Sequence, residues 1–419
     1  MKILLLHSLY SPHVGGGAET VVRQLAEGLH GRGCDVAVLV TGPDSGLRQE
    51  VLAGVRIYRA GLNNLYWHFT QRRPNPLLRL GWHFRDRYNR SMRLHVREVI
   101  AREQPDVVLC NNLTGWSISA WDEISAAGVP IVQVLHDLYL LCPKDTMFSK
   151  GRSCQRQCGL CSAFRQHHAQ ASAQVAAVIG VSGFILDRLS SHGYFSQASR
   201  HLVHNSTTAA AGTPSAPRQN HSGLLRFGYI GTLSENKGVS WLISQFQALS
   251  INATLDVAGR GQLDYEAQLS AMVDPAKVRL VGYQDSETFM RNIDVLLVPS
   301  IWDEPFGLVA VEGCARHLPV IATNRGGLPE IIRDNLNGLI CSPDDPDSLG
   351  RAMLKLYLDS GLRQRLSRQA RASVAPFLDT ERMLDQYQSI LHATLHGRRA
   401  HDEPEFADLY PAQAEPAGD

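Results

Sequence analysis

The sequence predicts an α/β protein of two domains facing a cleft, and three observations lead there. Its 419 residues exceed what one hydrophobic core usually serves, so two units of about 200 residues each are expected. Short apolar runs alternate with amphipathic stretches, the pattern of parallel sheets covered by helices on both faces. Two such series flank "STTAAAGTPSAPRQNHSG", residues 206–223, which is small, polar and punctuated by Pro and Gly as linkers are. The expected units are residues 1–205, a linker at 206–222, a second domain at 223–377, a helix returning to the first domain at 378–398, and a tail at 399–419. That tail is acidic and without period, and is read as disordered.

In the first series "KILLL", "DVAVLV", "DVVLC", "PIVQVL" and "AAVIGV" read as buried strands, with residues 20–30 and 94–103 as helices between them. The opening "MKILLL" has four apolar residues between Lys2 and His7, too few for a signal-peptide core. No run reaches the roughly 18 apolar residues of a membrane span. A cytoplasmic protein is expected, in which the eight cysteines stay reduced. Hydrophobic residues at 44% and a net charge of +1 argue against wholesale nucleic-acid binding.

"PHVGGGAE" follows the first strand, and Gly15, Gly16 and Gly17 let backbone approach a phosphate or sugar, or else make a flexible turn. A dinucleotide-binding turn is a poor fit, because eight residues separate "LLL" from the glycines and "VLVTG" ends without an acid for ribose. Residues 63–102 hold nine arginines against Asp86 and Glu98. From Phe84 onward Tyr88, Met92, Val96 and Val99 or Ile100 recur at helical spacing, which leaves Arg87, Arg90, Arg93 and Arg97 on the remaining surface. That surface suits either solvent or an anionic membrane face. His136 ends a strand in "VLHDLYLLCP", where side chains meet the crevice of an open α/β sheet; a structural hydrogen bonder is the plainer alternative. Asp137 would orient it or cap the next turn. Cys142, Cys154, Cys158 and Cys161 are spaced for a structural zinc, a redox pair or incidental thiols.

The second series runs through "LRFGYIG", "ATLDVAG", "VRLVG", "DVLLVPS", "PVIAT" and "GLICS". Within "SIWDEPFGLVAVEGCA" a strand gives way to a helix at Pro305. The amides of Gly307, Leu308 and Val309 then face outward without partners, an end that attracts phosphate. Glu304 precedes that end, and Glu312 follows on the helix, where its carboxylate takes a ribose diol or pairs with Arg316.

"DEPFGLVAVEGCARHLPVIATNRGGLPEII", residues 303–332, resembles the donor-binding signature of retaining glycosyltransferases of the GT-B fold, family 4 (group 1), in which two Rossmann-like domains face a cleft. The resemblance covers nearly all of residues 1–395. It implies that Glu304 meets the donor sugar's hydroxyls, that the amides after Phe306 hold the diphosphate, and that Glu312 takes the ribose. It further implies that Gly15, Gly16 and Gly17 face the cleft and that His136 lies beside the donor sugar. "GYIGTLSENKGV" resembles the segment that brings basic groups to the diphosphate. Thr232 stands where relatives usually have Arg, so phosphate binding falls to Lys237, the helix start and Arg260. "VRLVGYQD", with Gly282, resembles the segment that reads the base. A subset of the family has a similar cysteine cluster.

The implied reaction moves a sugar from a UDP- or GDP-linked donor to a hydroxyl of a lipid-linked or glycan acceptor. The configuration is retained, as in cell-envelope polysaccharide, lipopolysaccharide or glycolipid synthesis. His136, Glu304 and Lys237 are the expected catalytic residues, with no obligatory catalytic metal because the protein supplies the positive charge. A peripheral location on the inner membrane face follows from the arginine-rich segment. A GT-B epimerase or phosphorylase, or a zinc-dependent binding protein with a vestigial sugar site, are the alternatives.

Overall fold

The computed structural model describes residues 1–69, 74–208 and 224–397. Its first part contains β1 (Lys2–Leu6), β2 (Asp35–Gly42), β3 (Leu47–Leu52), β4 (Val55–Gly61), β5 (Val107–Cys110), β6 (Ile131–Leu135), the short hairpin β7 (Phe148–Ser149) and β8 (Arg152–Ser153), then β9 (Ala177–Gly180) and β10 (Ser199–Leu202). Eight of them form one sheet in the order β10-β9-β6-β5-β1-β2-β4-β3. All its pairings are parallel except β3 with β4. The β3 edge strand has no counterpart among the sequence expectations. "LRQEVL" is exposed along most of its length, so it buries no apolar face and leaves no periodic trace.

The second part contains β11 (Leu225–Ile230), β12 (Ala253–Ala258), β13 (Val278–Gly282), β14 (Val295–Val298), β15 (Val320–Thr323) and β16 (Gly338–Cys341). Their order is β13-β12-β11-β14-β15-β16, parallel throughout. The architecture is GT-B: two Rossmann-like sheets with the crevice at the carboxyl ends of their strands. The expected linker from 209 onward and the expected tail lie outside the described residues.

The helix Thr380–Leu395 lies against the first-domain helix Gly17–Gly31. The approach is close: a Cβ on Gly28 would come within 2.6 Å of Leu384. At the rim Arg32 pairs with Glu381 at 2.5 Å and Asp385 at 2.7 Å.

The single helix expected from Phe84 to Ile100 is two helices, Pro76–Asp86 and Arg93–Glu103. The break has a cause at Asn89, which is buried with its side-chain amide donating to Asn63 O and Gly115 O while its own N–H bonds Ser117 Oγ. Those bonds hold its backbone at φ −88°, ψ 85°, outside the helical region. Phe84 is accordingly 69% exposed rather than part of a core stripe. The basic surface is also narrower than expected, because Arg93 and Arg97 both bind Glu123 at 2.9 and 2.6 Å.

Candidate active site

Three neighbouring strands end on the first-domain wall: β1 at His7, β5 at Asn111 and β6 at His136. Asn111 donates its side-chain amide to Leu109 O at 3.2 Å, so its Oδ1 accepts from His136 Nε2 at 3.0 Å. His136 is thereby the Nε2–H tautomer, with a lone pair left on Nδ1. His7 is set the opposite way round: its Nδ1 accepts from Asn112 N at 3.2 Å. The Nε2–H therefore points at Glu19, 3.6 Å away. Burial, then the neighbouring His7, push His136 down to about 3, so it is a neutral imidazole at physiological pH. Burial works to raise Glu19, but His7 and the Gly16 amide outweigh it and hold the carboxyl below its ordinary value. Glu19 Oε2 accepts from Gly16 N at 2.8 Å, which ties the glycine loop to the same group. Asp137 does not orient His136; it accepts from Tyr139 N at 2.8 Å and caps the next turn.

On the second-domain wall Glu304 is gripped on both oxygens. Lys237 Nζ lies 2.5 Å from Oε1, while Trp302 Nε1 and Ser300 Oγ donate to Oε2 at 2.7 and 3.0 Å. The ammonium also sits 5.1 Å over the Trp302 ring, a cation–π contact that limits its freedom. The helix Leu308–Ala315 starts behind Gly307 at φ 113°, a left-handed value that suits glycine. A Cβ at Gly307 would also meet Leu328 at 2.6 Å. Gly326 and Gly327 support the Glu304 loop from below, where a Cβ on Gly326 would lie 2.0 Å from Glu304 O, and Gly327 N bonds that oxygen at 2.7 Å. Glu312 accepts from Ser286 Oγ at 2.6 Å. Arg316 reaches the Glu312 carbonyl instead of its carboxylate.

The walls touch. A Cβ on Gly17 would come within 3.0 Å of Leu308, so the glycine loop borders the anion-attracting helix start. Behind the cleft Glu330 accepts from Gly183 N and Phe184 N, each at 3.0 Å, and contacts His204 Nε2 at 3.0 Å. A carboxylate from one domain thus caps a helix of the other, Gly183–Ser190, the favourable end for negative charge. Ser182 Oγ donates to Pro305 O at 2.5 Å, and Arg188 pairs with Asp303 at 3.1 Å.

Residues 217–373 match the family described as glycosyl transferases group 1, and residues 16–206 match the glycosyl transferase 4-like domain. The chain is a group 1 glycosyltransferase. An uncharacterized 42.6 kDa protein in the cps region of Klebsiella pneumoniae is 28% identical over 335 residues, 80% of this chain and 88% of that protein. Among solved structures, sucrose-phosphate synthase from Thermosynechococcus elongatus superposes at a TM-score of 0.77 with 20% identity, over 94% of this chain and 99% of that one. The Anabaena protein HepE in complex with UDP and glucose superposes at 0.70 with 18% identity, over 94% and 100%. At these identities the structures bear on the fold alone.

The glycosyltransferase places its other expected donor residues unevenly. Thr232 is exposed, and its carbonyl accepts from Tyr229 OH at 2.8 Å. Arg260 is exposed over the Tyr283 ring at 5.8 Å, next to Gly282 at φ 68°. Phe306, expected among the donor-binding residues, has its ring buried against His204 and Phe377. Apolar area packs there, and only backbone is left to meet a donor. Leu308 and Val309 are half-buried at the helix start.

The cysteines are only partly gathered. Cys142 and Cys161 Sγ lie 3.6 Å apart, and Cys158 Sγ accepts from Cys161 N at 3.5 Å. Among the described residues no three His, Cys, Asp or Glu side chains are grouped to hold a metal. Sequence reasoning missed His7, Glu19, Asn111, Trp302 and the Glu330 clasp. The first and third carried a usable signal, since each is a polar residue directly after a buried strand.

Proposed function

We propose that this glycosyltransferase moves a hexosyl group from a nucleoside diphosphate sugar to an acceptor hydroxyl with retention of configuration. The Lys237–Glu304 pair at 2.5 Å, beside the free amides of a helix start, carries the reading. As the sugar's bond to the diphosphate breaks, negative charge grows on the leaving oxygens. Lys237 and the amides of Gly307, Leu308 and Val309 are fixed where they can meet it without reorganising. Glu304, immobilised by Trp302 and Ser300, accepts from sugar hydroxyls, and His136 Nδ1 offers a second acceptor from the opposite wall. Glu312 has one oxygen left for a ribose. HepE, of the same fold, was solved with UDP and glucose, so UDP-sugars are the first donors to try. A thermal-shift screen of UDP-, GDP- and ADP-sugars against the full chain tests this. A donor at 100 times its Kd adds about 2.7 kcal/mol, and NMR of the product then reads the anomeric configuration. No shift with any of them overturns the reading.

The acceptor proposed is lipid-linked, with the enzyme peripheral on an anionic cytoplasmic membrane face. On the helix Pro76–Asp86, Leu77, Leu80 and Phe84 share one side and are 82%, 47% and 69% exposed, flanked by exposed Arg85 and Arg90. That arrangement suits the headgroup layer. No helix of the described residues is long and apolar enough to cross a membrane. Anionic vesicles should sediment the protein at low salt, and Leu77→Glu with Phe84→Glu should abolish capture. Equal recovery with neutral vesicles counts against it.

A structural zinc on Cys142, Cys154, Cys158 and Cys161 is also proposed. The 3.6 Å between Cys142 and Cys161 Sγ is near the ~3.8 Å edge of a tetrahedron with Zn–S of about 2.3 Å. Purified protein should carry close to one zinc; none, with four freely titrating thiols, excludes the site.

A further inference from the structure

The first sheet ends on one side at β3, and that edge is open. Leu47–Leu52 pairs with β4 antiparallel, Leu52 opposite Val55 and Leu47 opposite Ala60. Ala53 and Gly54 join the two strands at φ 50° and 81°, the two-residue turn whose flanking residues exchange both ladder bonds. The Gly61 amide donates to Gly46 O at 2.7 Å, in step with that phase. Residues 46, 48, 50 and 52 therefore use their backbone groups on β4. Those of Leu47, Gln49 and Val51 point outward, and among the described residues none of these groups has a partner.

Edge strands are usually blunted by Pro, Lys, a bulge or a covering loop. "LRQEVL" has neither Pro nor Lys, and it pairs with β4 without a register shift. Nothing covers it: Val51 is 65% exposed, and the side chains of Arg48 and Glu50 are 70% and 51% exposed. Arg48 and Glu50 share one face of the strand, and Leu47, Gln49 and Val51 share the other.

The two charges do not bar a second copy of the strand; they select its register. Two copies related by a two-fold axis run antiparallel, and their free N–H and C=O groups meet only when outward residues face outward residues. Centred on Gln49, all three outward residues of each copy find partners. Leu47 of each then lies opposite Val51 of the other, Arg48 opposite Glu50, and Gln49 opposite Gln49. A slip of two residues leaves one outward residue of each copy without its partner. It also sets Arg48 against Arg48 in one direction and Glu50 against Glu50 in the other, and like charges directly opposite are destabilising. Arg48 already pairs with Asp44 at 3.0 Å and Glu50 with Arg59 at 2.6 Å. A carboxylate accepts several bonds and a guanidinium donates five, so the cross-copy pair extends these contacts without breaking them.

We propose that β3 is a self-association edge through which two copies of this chain pair about a two-fold axis at Gln49, joining their eight-stranded sheets into one. The occupant is a second copy because the strand is complementary to itself on both faces, in charge on one and in apolar contact on the other. In such a pair the parallel strands of the two copies run in opposite senses. The two crevices then open at opposite ends of the joint sheet, and neither copy obstructs the other's cleft. Six residues make a short seam, so the dimer belongs to the small, reversible class of interfaces.

Sedimentation equilibrium on the full chain at low salt, from about 1 µM to about 200 µM, tests this by mass action. The wild-type chain should pass from monomer to dimer across that range. Gln49→Pro should stay monomeric with its fold intact by circular dichroism, because the N–H it removes points outward and the ladder to β4 is kept. Arg48→Glu and Glu50→Arg should each weaken the dimer by about tenfold or more, the scale of two like-charge pairs. Mixed in equal amounts, these two variants should form a dimer at concentrations where neither does alone, since each supplies the charge that the other lacks. That rescue reads the register itself, which a merely structural role for either residue would not produce. A wild-type chain that is monomeric throughout, a dimer that survives Gln49→Pro, or a mixture that stays monomeric overturns the proposal.

Discussion

The two walls of the cleft are built on different plans. On the second-domain wall Ser300, Trp302, Glu304 and the helix start at Gly307 lie in one short stretch of chain, and one distant residue, Lys237, joins them. The first-domain wall draws His7, Glu19, Asn111 and His136 from three strand ends and a helix. Its geometry exists only when β1, β5 and β6 are in register. A contiguous site is set by local backbone and its supporting glycines; a dispersed one inherits its accuracy from the sheet.

Removing the charged pair tests that contrast most severely. Glu304→Gln and Lys237→Ala are each expected to lower kcat/KM on the order of a hundredfold or more, the scale of one lost transition-state contact. Near-normal turnover in either variant would detach that residue from the chemistry. The support beneath the contiguous wall comes next. Gly326→Ala forces a Cβ toward Glu304 O at 2.0 Å and keeps φ at 60°, so it should cost about 2 kcal/mol or more by urea unfolding, with activity lost alongside. An unchanged midpoint would show that the loop stands without its glycine.

The dispersed wall is better probed through the sheet that carries it. Glu103 binds Lys2 of β1 at 3.1 Å, Arg56 of β4 at 2.8 Å and Tyr58 at 2.6 Å. Although burial opposes it, these donors lower its carboxyl from 4.5 to about 2. The unfolded chain therefore binds the proton more readily, and the stabilisation is full above about pH 4.5 and lost as pH falls toward 2. Glu103→Gln should flatten that part of the stability–pH curve in urea titrations; an unaltered slope would free β1 from this anchor. Least affected should be the crossing helix. Arg32→Ala removes a rim pair whose acids are 76% and 73% exposed, and a change of about 0.5 kcal/mol or less is expected. A loss above 1 kcal/mol would mark the rim, not the Gly28–Leu384 contact, as the clamp.

Legibility in the sequence divides along the same line. Glu304 and the helix start at Leu308 were readable because an acid, Pro305 and Gly307 inside an apolar run are a local anomaly. His136 was readable from its place after β6, and Asn111 offered the same signal after β5, but their pairing was not readable, since nothing in "VLCNN" says which strand lies alongside. The arginine-rich segment misled for a related reason. Helical spacing from Phe84 to Ile100 reports side-chain period, but the chain breaks at Asn89 because of tertiary bonds to Asn63, Gly115 and Ser117.

The sequence by itself determined the two parallel series, the anion-attracting helix start and the glutamates around it, because burial and capping act through neighbours in the chain. Tertiary structure alone decided that Lys237 meets Glu304, that Glu123 neutralises Arg93 and Arg97, and that Glu330 caps a helix of the other domain. Ion pairs depend on distance through space, and a one-dimensional pattern carries that distance only where the chain itself is short.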